Sequence, residues 1–183
     1  MFASVGNSLF INVVEKGGVK TISKFISDSL DPIQCISWCH DNSYIALLRK
    51  NRYPEILSTK DPNNIEVVHT INSVSGVTSL NFKRNTKRIL ALGNSEGEVM
   101  LYDTKNRCVT KHLGQLPFEV NCIEFNCNNQ LAAIGGNHLV RFNIYDDHQK
   151  EVSINNDDFI KEVGWQSPPN IRQNSQTNEK SLI

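Results

Sequence analysis

VTSLNFKRNTKRILALGNSEGEVMLYDTKNRCVTKHL, residues 77–113, decides how this chain folds. Val77–Phe82 alternates, which predicts a strand with Val77, Ser79 and Asn81 on one face and Thr78, Leu80 and Phe82 on the other. RILALG (88–93) is a nearly continuous apolar run, as expected of a strand covered on both sides. Asn94-Ser95-Glu96-Gly97 is a tight connection with a glycine available for positive φ. EVMLYD (98–103) alternates again, and CVTKHL (108–113) closes the unit with β-branched residues. Four short antiparallel strands in so few residues describe one blade of a β-propeller.

Working outward, the same pattern returns. Phe2–Val5, Leu9–Val14 and Val19–Phe25 read as three strands separated by Gly6-Asn7-Ser8 and Gly17-Gly18. Ile33–Trp38, Tyr44–Leu48, Glu55–Ser58 and Ile65–Ile71 form the next unit, with Tyr53 held extended by Pro54. Val120–Phe125, Gln130–Gly135, His138–Tyr145 and Lys150–Ile154 form the one after residues 77–113. Phe159–Trp165 begins another. Aligned on the aromatic that closes each first strand, Trp38, Phe82, Phe125 and Trp165 are spaced by about 44, 43 and 40 residues. That is the period of propeller repeats of the WD type. The expected organisation is propeller repeats over residues 1–166, in units of about 2–25, 33–71, 77–113 and 120–154 with a further start at 159–165. A disordered polar tail over 167–183 completes it.

The chain has 183 residues and a formal net charge of zero, so no global field draws it to nucleic acid or an anionic membrane. No apolar run approaches the roughly 20 residues of a bilayer span. The five cysteines are scattered through strand-like segments, as expected of reduced thiols in the cytosol. Cys35, Cys39 and His40, or Cys122 and Cys127, lack the paired spacing of a zinc site and read as small core thiols. No G-x-S-x-G, Walker glycine loop or H-E-x-x-H is present. Gly135-Gly136 leads into another strand and reads as a hairpin turn. No enzyme, cofactor or metal is expected.

The chain resembles WD-repeat proteins with degenerate repeats. Tyr102-Asp103 stands where the Trp-Asp dipeptide ends a third strand, and Tyr145-Asp146 is a looser counterpart. FASVGNSLFINVVE (2–15), CISWCHDNSYIAL (35–47), LGNSEGEVMLYDTKNRCVTKHL (92–113) and EVNCIEFNCNNQLAAIGG (119–136) are similar to a narrower WD-repeat group. That group targets the gamma-tubulin ring complex to centrosomes and spindles. The resemblance implies a non-catalytic docking scaffold in the cytoplasm and cytoskeleton, with centrosomal or gamma-tubulin complex components as partners. The group's gamma-tubulin-binding C-terminal region has no counterpart in these residues. Alternative readings are an unrelated cytosolic or nuclear WD-repeat scaffold, or a truncated product with little function of its own.

Three strands, three whole units and one lone strand favour an open arc over a closed four-bladed ring. If each end exposes ~500 Å² of apolar face, about 12 kcal/mol of burial is lost per end at ~25 cal/mol/Å². Self-association is therefore expected of an arc. The densest charge is Lys83, Arg84, Lys87 and Arg88, in the turn between strands one and two of the 77–113 unit. In blade topology that turn shares a rim with the turn carrying Lys105 and Arg107. These six cations are the candidate site for an acidic partner, such as an acidic tail or a nucleic-acid backbone, and the alternative reading is a solvated turn.

Overall fold

The computed structural model describes residues 2–5, 8–15, 18–25, 31–61, 63–126, 128, 130–144 and 149–153. They form four antiparallel sheets, each a meander in chain order. Blade 1 has three strands: β1 (Phe2–Val5), β2 (Leu9–Glu15) and β3 (Gly18–Phe25). Blade 2 runs from β4 (Ile33–Trp38) through β5 (Tyr44–Arg49) and β6 (Glu55–Ser58) to β7 (Glu66–Thr70). Blade 3 is β8 (Val77–Phe82), β9 (Ile89–Asn94), β10 (Glu98–Asp103) and β11 (Cys108–Gln115). Blade 4 is β12 (Cys122–Phe125), β13 (Gln130–Gly135), β14 (His138–Asn143) and β15 (Gln149–Ser153). The strands predicted from alternation are present, most with ends displaced by one or two residues. Those foreseen at 159–165, and the tail at 167–183, lie outside the described residues.

The second strands of blades 2, 3 and 4 are buried on both faces, so β5, β9 and β13 have almost no polar side. The core is divided accordingly into three clusters. One joins Leu9 and Ile11 of blade 1 to Ile45, Leu47 and Leu57 of blade 2. The second joins Ala46, Leu48 and Ile56 to Leu80, Phe82, Leu90, Leu92 and Tyr102 across blades 2 and 3. The third joins Ala91, Val99 and Leu101 to Ile123, Phe125, Leu131 and Phe142 across blades 3 and 4. Among the described residues no cluster joins blade 4 back to blade 1. The arrangement is an open arc, with β8 lying between β4 and β12.

The first strand of blade 3 departs from its simple alternation. Its pairing with β9 skips a residue between Val77 and Ser79. Thr78 is the bulged residue, so Val77 joins Leu80 and Phe82 in the cluster with blade 2. Thr78 turns the other way, and its hydroxyl donates to the Val120 carbonyl at 2.6 Å. The expected pairing of Val77 with Ser79, and of Thr78 with Leu80, is thereby corrected. Blade 2 has the same skip between Ile33 and Cys35.

Close approach between blades is permitted by small residues. A Cβ on Gly93 would lie 2.5 Å from Val120 Cγ1 and 2.8 Å from Ile123 Cδ1. In the β9–β10 turn Gly97 sits at φ 84°, and a Cβ there would be 2.2 Å from the Leu116 carbonyl oxygen. Glycine is required at both positions, for packing in one case and for backbone conformation as well in the other.

Candidate functional site

The site is built from two turns of blade 3 and the facing side of blade 2. The β8–β9 and β10–β11 turns are stitched together by backbone. The Thr104 amide donates to the Arg88 carbonyl at 2.8 Å, and the Thr104 hydroxyl donates to the Lys87 carbonyl at 3.0 Å. Both turns therefore share one rim.

Asp103 organises that rim. It closes β10 almost fully buried, and its Oδ1 accepts the amides of Lys105 and Asn106 at 2.9 Å each. Its Oδ2 takes Arg88 Nε and Nη2, both at 2.6 Å. The Arg88 guanidinium and these amides hold the Asp103 carboxyl below its usual range, despite burial. The Arg107 amide donates to the Asp103 carbonyl at 2.8 Å, and Arg107 adopts φ 56°. The loop is thus fixed before any ligand arrives.

The six cations do not form one uniform patch. Arg84 reaches across to Glu124 of blade 4 at 3.7 Å. Lys87 reaches the other way, to Asp41 of blade 2 at 3.1 Å. Arg88 is committed to Asp103. Lys83 is half-buried, and its amide donates to the Ile89 carbonyl at 2.9 Å. Lys105 and Arg107 are exposed, with no carboxylate pair among the described residues. Asp41 is itself held by Ser43, whose hydroxyl and amide donate to it, and by the Cys39 thiol at 3.0 Å. These contacts, the Ser43 hydroxyl first and Lys87 last, keep the carboxyl well below the usual aspartate value.

Lys87, Arg88, Lys105 and Arg107 come together around a cleft of about 520 Å³ between blades 2 and 3. Thr104 completes that side, and Tyr44, Ile56, Val68 and His69 form the blade 2 wall. His69 Nε2 lies 2.7 Å from the Tyr102 hydroxyl, with the rings stacked at 6.1 Å. Burial, and then the charge of Arg107, press the His69 pKa below the usual histidine value, so the ring is neutral at pH 7. Lys60 Nζ caps the Tyr44 ring at 5.1 Å. The cleft thus pairs an apolar wall with a cationic lip. The lining holds four cations and no carboxylate, with Asp41 and Asp103 paired to Lys87 and Arg88 from outside it.

The apolar wall was invisible to charge counting, because Tyr44, Ile56 and Val68 come from a different unit. Aligning the repeats gives one available signal: Asp41 occupies in blade 2 the turn that Lys83–Arg88 occupies in blade 3. Among the described residues no group of three His, Cys, Asp or Glu side chains is arranged to hold a metal. Cys39 is buried, Cys35 and Cys122 are half-buried, and Cys108 is exposed, all as free thiols. Desolvation raises the Cys35 pKa, the opposite of what a reactive thiolate needs. Cys127 lies outside the described residues.

This arrangement of blades has solved counterparts. The WD40 repeats of RRP9 superpose with a TM-score of 0.67 at 16% identity, over 82% of this chain and 46% of that one. The structure of U3-55K matches with a TM-score of 0.66 at 16% identity, over 82% and 47%. A chain of the mitotic checkpoint complex matches with a TM-score of 0.69 at 18% identity, over 89% and 50%. The fold is a partial WD-type β-propeller. The chain spans about half the length of the chains it matches. No protein-family model and no curated protein sequence matches it.

Proposed function

We propose that this chain is a non-catalytic protein-interaction scaffold that docks an acidic partner at the basic rim of blade 3. Lys83, Arg84, Lys87, Arg88, Lys105 and Arg107 supply the charge. The observation that carries the reading is the surplus of cations over carboxylates around the cleft between blades 2 and 3, on a protein whose formal net charge is zero. Charge concentrated at one place on a neutral body favours encounter with a complementary surface there.

The sequence resemblance adds a setting, the centrosome and spindle, with gamma-tubulin complex components as the partners. A second reading is a WD-type scaffold elsewhere in the cytosol or nucleus. It is favoured by the low identity of the matched structures, 16–18%, at which the fold by itself selects no location. Imaging a tagged chain in dividing cells separates the two. Concentration at spindle poles, lost in a Lys105→Glu, Arg107→Glu double variant, is the expected result. A diffuse wild-type signal refutes the spindle setting.

A further inference from the structure

We propose that the cleft between blades 2 and 3 takes an acidic peptide segment with one apolar side chain, read by Lys105 and Arg107 and seated on Ile56 and Val68. The inference rests on the reading of the basic rim as a docking site, and it names the ligand class and the residues that discriminate it.

The cations around the cleft divide by what already holds them. Lys87 is tied to Asp41 at 3.1 Å, and Arg88 to Asp103 at 2.6 Å. A ligand carboxylate competes for these two only by displacing an internal one. Lys105 and Arg107 have no such competitor among the described residues and are exposed. Their backbone is pinned by three amide hydrogen bonds to Asp103, so a ligand meets two charges on a preset frame.

The rest of the cleft is not a phosphate-backbone track. Its wall is aliphatic and aromatic: Ile56 is 3% exposed and forms the floor, while Val68 is 38% exposed at the opening. A cleft of about 520 Å³ suits a side chain with its adjoining backbone. Single-stranded nucleic acid requires free aromatic faces and a run of cations. Here the Tyr44 ring is covered by Lys60 and the Tyr102 ring by His69. The neutral His69 leaves the apolar side uncharged. A peptide with carboxylates flanking a leucine-like residue matches both halves of the cleft.

The test uses the full 183-residue chain and fluorescence anisotropy. The probe is a labelled decapeptide of Glu and Asp with one central Leu, compared with its Leu→Ser and its all-amide (Gln and Asn) counterparts. We expect the Ser peptide to bind about tenfold more weakly, as for loss of one buried aliphatic side chain. The amide peptide and the Lys105→Glu, Arg107→Glu variant should show no saturable binding, while Lys50→Ala, exposed and outside the cleft, changes affinity less than about threefold. Circular dichroism melts confirm that each variant is folded. Equal binding of the Leu and Ser peptides overturns this inference and leaves the basic rim as a general acidic dock. No binding of either acidic peptide overturns both readings. A labelled single-stranded oligonucleotide that binds more tightly than the Leu peptide overturns the peptide assignment.

Discussion

At the junction of blades 2 and 3, the Phe82 amide donates to Ser37 Oγ at 2.8 Å. At the junction of blades 3 and 4, the Phe125 amide donates to Asn81 Oδ1 at 3.3 Å. Ser37 and Asn81 hold the same repeat position, one residue before the closing aromatic. The register is therefore common to both junctions, but the side chains that fill them are not. Opposite Cys35 on β5 stands Leu48, whereas the matching partner of Ser79 on β9 is Gly93. Blade 4 presses Val120 and Ile123 into the space left by that glycine.

The charges differ as well. Arg84 and Glu124 balance one another between blades 3 and 4, and Asn81 Nδ2 also donates to Glu124 at 3.3 Å. Between blades 2 and 3, Lys87 and Asp41 balance, but Lys105 and Arg107 are left over. Shared backbone geometry thus gives a closed seam on one side of blade 3 and a seam with a usable cleft on the other. Side-chain volume and charge at a few repeat positions make the difference.

The largest test of this comparison is removal of the closing aromatics. Phe82→Ala and Phe125→Ala should each cost about 3–5 kcal/mol in urea unfolding, since both side chains are buried between two blades. A much smaller loss for one would show that its junction is not a packed core. Gly93→Val should follow at about 1–3 kcal/mol, from overpacking against Val120 and Ile123. Leu48→Val, the matching change in blade 2, removes only a methylene and should cost about 0.5–1.5 kcal/mol.

The two cross-blade acceptors sharpen the comparison further. Ser37→Ala leaves the buried Phe82 amide without its partner and should cost about 1–3 kcal/mol. Asn81→Ala should cost less, because its bond to Phe125 is longer and only partly buried. A thermal melt of each variant reads the order directly. For the surface pair, Lys87→Ala should lower stability by no more than about 1 kcal/mol, as both partners remain well solvated.

Titration gives the smallest effect. The folded pKa of His69 lies below its unfolded value, because burial and then the charge of Arg107 disfavour the charged ring. The unfolded chain therefore binds more protons there as pH falls below about 6.5, and stability declines in that window. His69→Gln should flatten the decline. Asp103 acts in the same direction at lower pH, since its lowered pKa gives stability that is lost only as the carboxylate protonates. Denaturation midpoints measured between pH 7.5 and 5 check the His69 contribution.

Much of this was legible from residues alone. Alternation and turn chemistry located the strands, because a half-buried strand must alternate and a turn must contain residues that tolerate it. The Tyr102-Asp103 dipeptide marked the end of a third strand, and the spacing of Trp38, Phe82 and Phe125 set the repeat. The bulge at Thr78 was not legible, since VTSLNF alternates whether or not one residue is skipped. The fates of the six cations were hidden for another reason. Pairing of Arg84 with Glu124 and of Lys87 with Asp41 spans about 40 and 46 residues. It depends on the rotation between blades, which no single unit encodes. The seat for an apolar side chain was hidden for the same reason.

The Ser37 and Asn81 hydrogen bonds also bear on assembly in time. Each acceptor belongs to an earlier blade, and each donor to the innermost strand of the next. Each acceptor therefore stays unfilled until roughly 44 residues beyond it have emerged, shortly after its own blade is complete. Stability in such arrays accrues through nearest-neighbour interfaces. During synthesis, Ser37 becomes satisfied when β8 appears and Asn81 when β12 appears. The order of translation is then the order in which the seams can close, and each seam that forms supplies the surface on which the next strand settles.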